Sequence, residues 1–320
     1  MTLMARSALA LAIIASIATP AAAQQPVGQT ITIIVAFAAG GFADGIARVI
    51  GERLGERLGV KIVIENKGGA GGNLAARAVA QAAPDGNTIL VTTTASAINP
   101  TLYKNMGYAA SDLTAVAIVG SAPESFVVHP SNPATNLKQF IAAAKDKPIE
   151  YASAGVGTGS YIAAEYLFKV LAKVQTVHVP FPGGGPAVTA VLGNHVAAMA
   201  ATVPGMVPHI TSGKLRGIGI ASAQRIAVVP DVPTYIESGF TGFTAASWVG
   251  FFVPAKTDAA FVTKLNAAIN EALKEIQVQE RLKRFGLEPM IADTAATKRF
   301  FDSEVDHWGK MVQAIGVSIN

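Results

Sequence analysis

The chain has 320 residues, 51% of them hydrophobic and 14% charged, with 31 Gly, 17 Pro, no Cys and a formal net charge of +4. The length predicts two domains of about 100–200 residues each, and a charged fraction well below the roughly 25% of an average globular chain excludes a disordered protein and a nucleic-acid binder built on clustered Lys and Arg. Without Cys there are no disulfides, thiolate zinc sites, iron–sulfur clusters or cysteine nucleophiles.

Met1–Ala23 reads as an export signal. Arg6 sits in a short n-region, an apolar run follows from Ala8 to Ala18, Pro20 breaks it, and Ala21-Ala22-Ala23 offers the small residues a signal peptidase reads, with cleavage expected before Gln24. The alternative is a membrane anchor or a buried first helix, but a run of about eleven residues falls short of the roughly 20 needed to cross a bilayer.

Strands and helices then alternate. Thr30–Phe37 is a continuous apolar, β-branched run of the kind found in a strand covered on both faces. Ala39-Gly40-Gly41 interrupts it, and Ala43–Leu58 carries helical spacing through Ile46, Val49, Ile50, Leu54 and Leu58. A strand is expected at Lys61–Glu65, a loop at Asn66–Gly72, a helix at Asn73–Ala83, a turn at Pro84-Asp85-Gly86 and a strand at Ile89–Thr92. This βαβαβ order implies an α/β fold with a parallel sheet and right-handed crossovers.

A second set begins after the apolar run Leu113–Val119. Strands are expected at Ser125–Val128, Glu150–Ala152, Thr176–Val179 and Val196–Ala200, with helices at Asn136–Lys145, from Gly159 through Leu171, and up to Leu192. Leu215–Ala221 is a further apolar run and Trp248–Val253 a last strand, before helices at Asp258–Lys274, Gln277–Phe285 and Ala295–Ala314. Asp258 suits an N-cap and Gly286 a C-terminal stop.

Glycine-rich stretches fall where strands end and helices begin, which is where open α/β sheets place ligands. The first runs from Phe37 through Ala39, Gly40, Gly41, Phe42 and Ala43 to Asp44. Glycines expose backbone N–H groups, and a helix N-terminus adds partial positive charge, so together they bind an anion without a cationic side chain. Asp44 either caps the helix or accepts a hydrogen bond from a ligand. The second stretch is Ser153-Ala154-Gly155-Val156-Gly157-Thr158-Gly159-Ser160. It imitates a dinucleotide fingerprint, but Ser160 replaces the last Gly, Gln175 stands where an acid is needed, and no G-K-[ST] follows. A carboxylate held by Thr158, Ser160 and their amides fits better, with plain helix capping as the alternative. Two such loops, one in each half, predict two surfaces closing on one small anion.

The enzyme reading has less to stand on. His129, His178, His195, His209 and His307 show no metal-ligand spacing, and no G-x-S-x-G elbow is present. No catalytic residue, metal or cofactor is expected, and nucleic acid is not expected as a partner.

The segments TITIIVAFAAGGFADGIARVI, VIENKGGAGGNLAARAVAQAAPDGNTILV, INPTLY, YASAGVGTGSYIAAE, VHVPFPGGGPAVTAVLGNHV and WVGFFVPAKT resemble, in order, the tripartite tricarboxylate transporter substrate-binding proteins, the Bordetella-uptake-gene (Bug-type) periplasmic receptors. The resemblance covers nearly all of the chain after Ala23. It implies a two-lobe periplasmic-binding-protein fold, a Venus flytrap, with crossovers near Ser121–Glu124 and Ala245–Ser247. Lobe 1 would then comprise 24–120 plus 248–320, and lobe 2 would comprise 121–247. It implies a monomeric, non-enzymatic periplasmic receptor that captures a small carboxylate and delivers it to the membrane subunits of a tripartite tricarboxylate-type transporter. A hydrolase or isomerase on the same scaffold, or a ligand-sensing partner of a membrane kinase, are the other classes.

By position, the resemblance makes Phe37, Ala39, Gly40, Gly41, Phe42, Ala43 and Asp44 the first carboxylate-binding loop, and Ser153, Ala154, Gly157, Thr158, Gly159 and Ser160 the second. Thr94, Ala95 and Ser96, then Phe181, Pro182 and Gly183, then Thr202 and Trp248, become the remaining wall. Four departures make this cleft less polar than the family pattern. Ala43 replaces a Thr, Phe42 a small residue or Pro, Phe181-Pro182 a Tyr-Lys pair, and Ala201-Thr202-Val203-Pro204 a more polar segment. They point to one carboxylate on an apolar or aromatic body, with Phe42 either stacking on it or packing against its own lobe.

Overall fold

The computed structural model describes residues 30–284 and 286–320. The expected export signal at Met1–Ala23 lies outside these residues, as does Phe285, the last position of one expected helix.

The first half is built as βαβαβ. Strand β1 (Thr30–Val35) is followed by helix α1 (Phe42–Leu58), β2 (Lys61–Asn66), α2 (Asn73–Ala80) and β3 (Thr88–Thr93). β1 lies between β2 and β3, parallel to both, so that Ile33 is flanked by Ile64 and Ile89. Its Ile31, Ile33 and Val35 are fully buried, the result of covering both faces of a β-branched strand. Gly59 ends α1 in the left-handed conformation (φ 66°) and donates its N–H to Gly55 O, which is why the helix stops there. Helix α3 (Ala95–Leu102) follows β3 directly.

Strand β4 (Leu113–Val128) connects the halves. Then come α4 (Leu137–Asp146), β5 (Ile149–Ser153), α5 (Gly159–Glu165) continuing as a π-helical turn over Tyr166–Ala172, β6 (Thr176–Pro180), α6 (Gly184–Leu192), β7 (Ala198–Thr202), α7 (Val203–Thr211) and β8 (Arg216–Ile220). The chain returns through β9 (Ala246–Pro254) to α8 (Ala259–Lys274), α9 (Ile276–Arg284), β10 (Glu288–Pro289) and α10 (Thr294–Ile315).

The sheet order is β2-β1-β3-β9-β4-β7-β5-β6, with β8 and β10 also paired to β4. β4 is antiparallel to β9 from Leu113 to Pro123 and then to β7 and β8 from Glu124 and Ser125 onward. One strand therefore belongs to two sheets, and the change of partner falls between Pro123 and Glu124. The two apolar runs expected over Leu113–Val119 and Ser125–Val128 are one 16-residue strand. Pro123, which has no N–H to give a ladder, stands at the switch between partners.

Two helices have no counterpart in the sequence reading. α3 and α7 each contain a proline inside the helix, Pro100 and Pro208, and Pro204 opens α7 in its first turn. Proline at the first turn costs nothing because that N–H is unpaired anyway, whereas the internal ones disguise the helix. The helix expected through Leu171 leaves α geometry at Glu165, and the strand expected at Val196–Ala200 lies two residues later. Among the described residues, no helix is long and apolar enough to cross a membrane.

Candidate functional site

A cavity of about 270 Å³ opens where the two halves face each other. α1 brings Gly40, Gly41, Phe42 and Ala43 from one side, with Phe37 and Thr93 from the ends of β1 and β3. The other half supplies Ala154, Thr158, Gly159 and Ser160, then one face of α6, the β7 residues Met199 and Ala201, and one face of α7 beginning at Thr202. Ser247, on the returning strand β9, completes the wall.

Helices α1, α6 and α7 all start at this cavity. Among the described residues, no side chain caps any of the three. By contrast, Asn136, Asp258 and Asp293 cap α4, α8 and α10, helices that do not line the cavity. The first N–H groups of a helix have no partner within it, so open starts leave donors and partial positive charge for an anion. α5 differs. Its Thr158 Oγ1 accepts from Tyr161 N–H at 3.3 Å, donates to Gly155 O at 2.8 Å and pairs with Ser160 Oγ at 3.2 Å. The capping alternative therefore describes Thr158, while Ser160 remains in the wall.

Asp44 is buried and holds the first loop from behind. Its Oδ2 accepts from the Gly40 N–H at 3.0 Å and from Arg48 Nε at 3.1 Å, and its Oδ1 from Asn66 Nδ2 at 2.9 Å. Asn66 also donates to Phe37 O at 3.0 Å, tying both ends of the loop to the tip of β2. Burial alone would push the Asp44 carboxyl up, but the bonds from Arg48, Gly40 and Asn66 together hold it below its ordinary value. Asp44 therefore does not cap α1; it organises the loop through the Gly40 N–H.

A second buried carboxyl lies behind the opposite wall. Glu124 Oε1 accepts a very short bond from the Ser247 hydroxyl, which also pairs with Thr94 Oγ1 at 2.9 Å. Glu124 Oε2 is buried without a partner. Burial pushes this carboxyl up to about 8, opposed only by the Ser247 bond, so it is protonated at neutral pH. Gly159 closes over the cluster: a Cβ there would lie 2.3 Å from Ser247 Oγ and 2.7 Å from Glu124 Oε1.

Ten expected site residues line the cavity: Phe37, Gly40, Gly41, Phe42, Ala43, Ala154, Thr158, Gly159, Ser160 and Thr202. The others lie elsewhere. Asp44 stands behind the first loop, and Ala39 is exposed within it, with its carbonyl toward Gly185. Thr94 sits behind Ser247, and Ala95 and Ser96 are buried in the first turn of α3. Ser153 is fully buried, and Gly157 presses on Asn99. Phe181 packs beside the Ala187 and Val191 cluster, while Pro182 and Gly183 close on Ala38. Trp248 is placed differently from expectation for a clear reason. Side chains alternate along a strand, so with Ser247 facing the cavity its neighbour faces the other way. The indole packs among Phe252, Phe300 and Phe301 and donates to Glu304 at 2.8 Å.

The residues missed by sequence reasoning are mainly Val188, Thr189 and Leu192 on α6, Met199 on β7, and Gly205, Met206 and His209 on α7. The spacing 188/192 is a helix face that was legible, whereas α7 was hidden by its prolines. Among the described residues, no Lys, Arg, Asp or Glu lines the cavity. Burial and nearby Lys214 lower the His209 pKa, so its imidazole is neutral at neutral pH.

Ser153 Oγ and His178 Nε2 lie 2.7 Å apart, the spacing of a nucleophile and its base. The pair does not line the cavity. Ser153 is fully buried and bonded to Gly155, and burial and Lys169 push His178 down to about 4 between the rings of Tyr151 and Tyr161. It fixes the glycine loop. Among the described residues, no cluster of three or more His, Asp or Glu could hold a metal ion.

Residues 46–317 match the family described as "Tripartite tricarboxylate transporter family receptor". Protein BugT of Bordetella pertussis is 34% identical over 310 residues, covering 95% of each chain. The structure of the periplasmic binding protein BugD superposes with a TM-score of 0.87 at 32% identity, covering 91% of this chain and 99% of that one. MatC from Rhodopseudomonas palustris, solved with bound malate, gives a TM-score of 0.83 at 34% identity over 88% of this chain and 98% of that one.

Proposed function

As the chain belongs to the tripartite tricarboxylate transporter receptor family, whose two-lobe periplasmic-binding-protein fold it shares, we propose that it captures a small organic carboxylate between its lobes and hands it, unchanged, to the membrane subunits of such a transporter. The observation that carries this reading is the convergence of the uncapped starts of α1, α6 and α7 on one cavity between the halves. Those starts provide N–H donors and partial positive charge at a point that no cationic side chain occupies. MatC with malate supports a carboxylate as the class of ligand. The ligand carboxylate sits between Gly40–Ala43 and the loop ending at Ser160, within reach of both lobes.

In this reading the lobes are 24–120 plus 248–320 and 121–247. The protein is exported, cleaved near Ala23, and works as a monomer without a cofactor. Binding stabilises a closed state, and the closed state is what the transporter recognises. No substrate is turned over.

The test is a thermal-shift panel of mono-, di- and tricarboxylates with the ligand assayed afterwards. A ligand at about 100 times its dissociation constant adds about 2.7 kcal/mol of stability. The expected result is a shift with a carboxylate that is recovered intact. A shift with none overturns the receptor reading, and consumption of the ligand turns it into an enzyme.

A further inference from the structure

The structure assigns this cavity to a monocarboxylate with an apolar body and a neutral far end, in preference to a dicarboxylate of the same length. The assignment rests on the carboxylate-receptor reading above and concerns what lies beyond the carboxylate.

Two helices of the second half that line the cavity, α6 and α7, start at its anion-binding end and run away from it. The β4–β7 pairing sets Thr202 opposite Glu124, which is bonded to Ser247, so the start of α7 lies at the same level as that cluster. At about 1.5 Å per residue, His209 stands about 10 Å further along α7 than Thr202. Likewise α6 starts beside the first loop, with a Cβ on Gly41 reaching 3.7 Å from Gly184 N, and Leu192 stands at its far end.

The wall therefore changes character with distance from the helix starts. Val188, Met199 and Met206 give an apolar middle and Leu192 an apolar far end, and the two methionines adapt to chain or ring alike. Thr189 offers little at the far end, since its hydroxyl already donates to Gly185 O at 3.1 Å. That leaves His209. A second carboxylate arriving there meets no cationic side chain of the wall, only a half-buried imidazole that burial and Lys214 both keep neutral, so its loss of hydration is not offset by an opposite charge. Lys214 is exposed and is not part of the wall. An apolar or neutral hydrogen-bonding end meets no such penalty.

Two matched pairs of acids separate the cases by calorimetry on the full mature chain: hexanoate against adipate, and benzoate against terephthalate. The expected result is that each monoacid binds about ten-fold or more tightly than its diacid. His209→Arg, at a half-buried position, should narrow or reverse that ratio by strengthening adipate binding, with the unliganded melting temperature read as the control for folding. A diacid that binds as tightly as its monoacid in the unaltered protein, or no binding by either monoacid, overturns the assignment. Neither result touches the receptor reading, which fails only if the wider carboxylate panel is silent.

Discussion

Asp44 and Glu124 are buried carboxyls held in opposite protonation states by their surroundings. Asp44 receives hydrogen bonds from Gly40, Arg48 and Asn66 and stays ionised, so its contribution to stability is present above its ordinary range and is lost as pH falls through the lowered value. Glu124 is buried with Ser247 as its hydroxyl donor, and its charge is felt by the buried Tyr235. Its folded value of about 8 stands above the ordinary 4.5. Between those two values the folded chain carries one more proton than the unfolded chain, so stability falls as pH rises through that window. Glu124→Gln keeps an acceptor for Ser247 and carries no charge. Melting curves from pH 5 to 9 should decline less steeply for the variant than for the unaltered protein, and parallel curves would refute a neutral Glu124. No sequence pattern marked this residue, because its state depends on what β9 and α5 bring to it from more than 30 positions away.

Among the elements, legibility followed periodicity. β1 and α1 could be read directly: an unbroken β-branched run, a glycine interruption, then apolar residues at helical spacing. α3 and α7 could not, since Pro100 and Pro208 are misleading in helices whose stability comes from packing instead of propensity. The candidate site divided in the same way. Its glycine loops were visible because glycine marks them in the sequence, and its far wall was not, because half of that wall is α7. Trp248 was misassigned to the wall by one position, the smallest error a strand permits and one that reverses the face. The uncapped start of α1 gives a prediction at this scale. Gly41 has an extended backbone (φ −85°) that any residue adopts, and a Cβ there would come 3.3 Å from Ala38 O, a contact requiring only a small adjustment. Gly41→Asp would supply the missing cap, worth only about a few tenths of a kcal/mol relative to a glycine N-cap, while placing a carboxylate where the ligand's belongs. Denaturant melts should show stability held or raised, and calorimetry should show carboxylate affinity reduced about ten-fold or more. Undiminished affinity would remove the α1 start from the site.

Across the whole molecule, two of the contacts between the lobes are hydrogen bonds to backbone carbonyls. The Ala38 N–H donates to Pro182 O at 3.4 Å beside Gly68, and Tyr103 donates to Val156 O at 3.4 Å beside Gly157. Gly68 is informative because its backbone is not left-handed, yet a Cβ on it would lie 2.8 Å from Pro182 O on the other lobe. If binding closes the lobes at this contact, Gly68→Ala leaves the unliganded melting temperature nearly unchanged, since an open form relieves the clash. Ligand affinity should fall about ten-fold or more. Equal affinity would show that the lobes bind without meeting at this point.

The strands that join the lobes travel side by side. Ala122 faces Ser247, Pro123 faces Ala246, and the Glu124 N–H donates to Ala245 O at 2.9 Å, so the two connections form a single laced ribbon instead of two separate tethers. A ribbon of this kind resists shear and stretch but yields to torsion, so one angle describes most of the relative movement available to the lobes. In the proposed receptor cycle, occupancy of the cavity would be converted into a rotation visible on the outer surface, where a membrane partner could read it without ever contacting the solute.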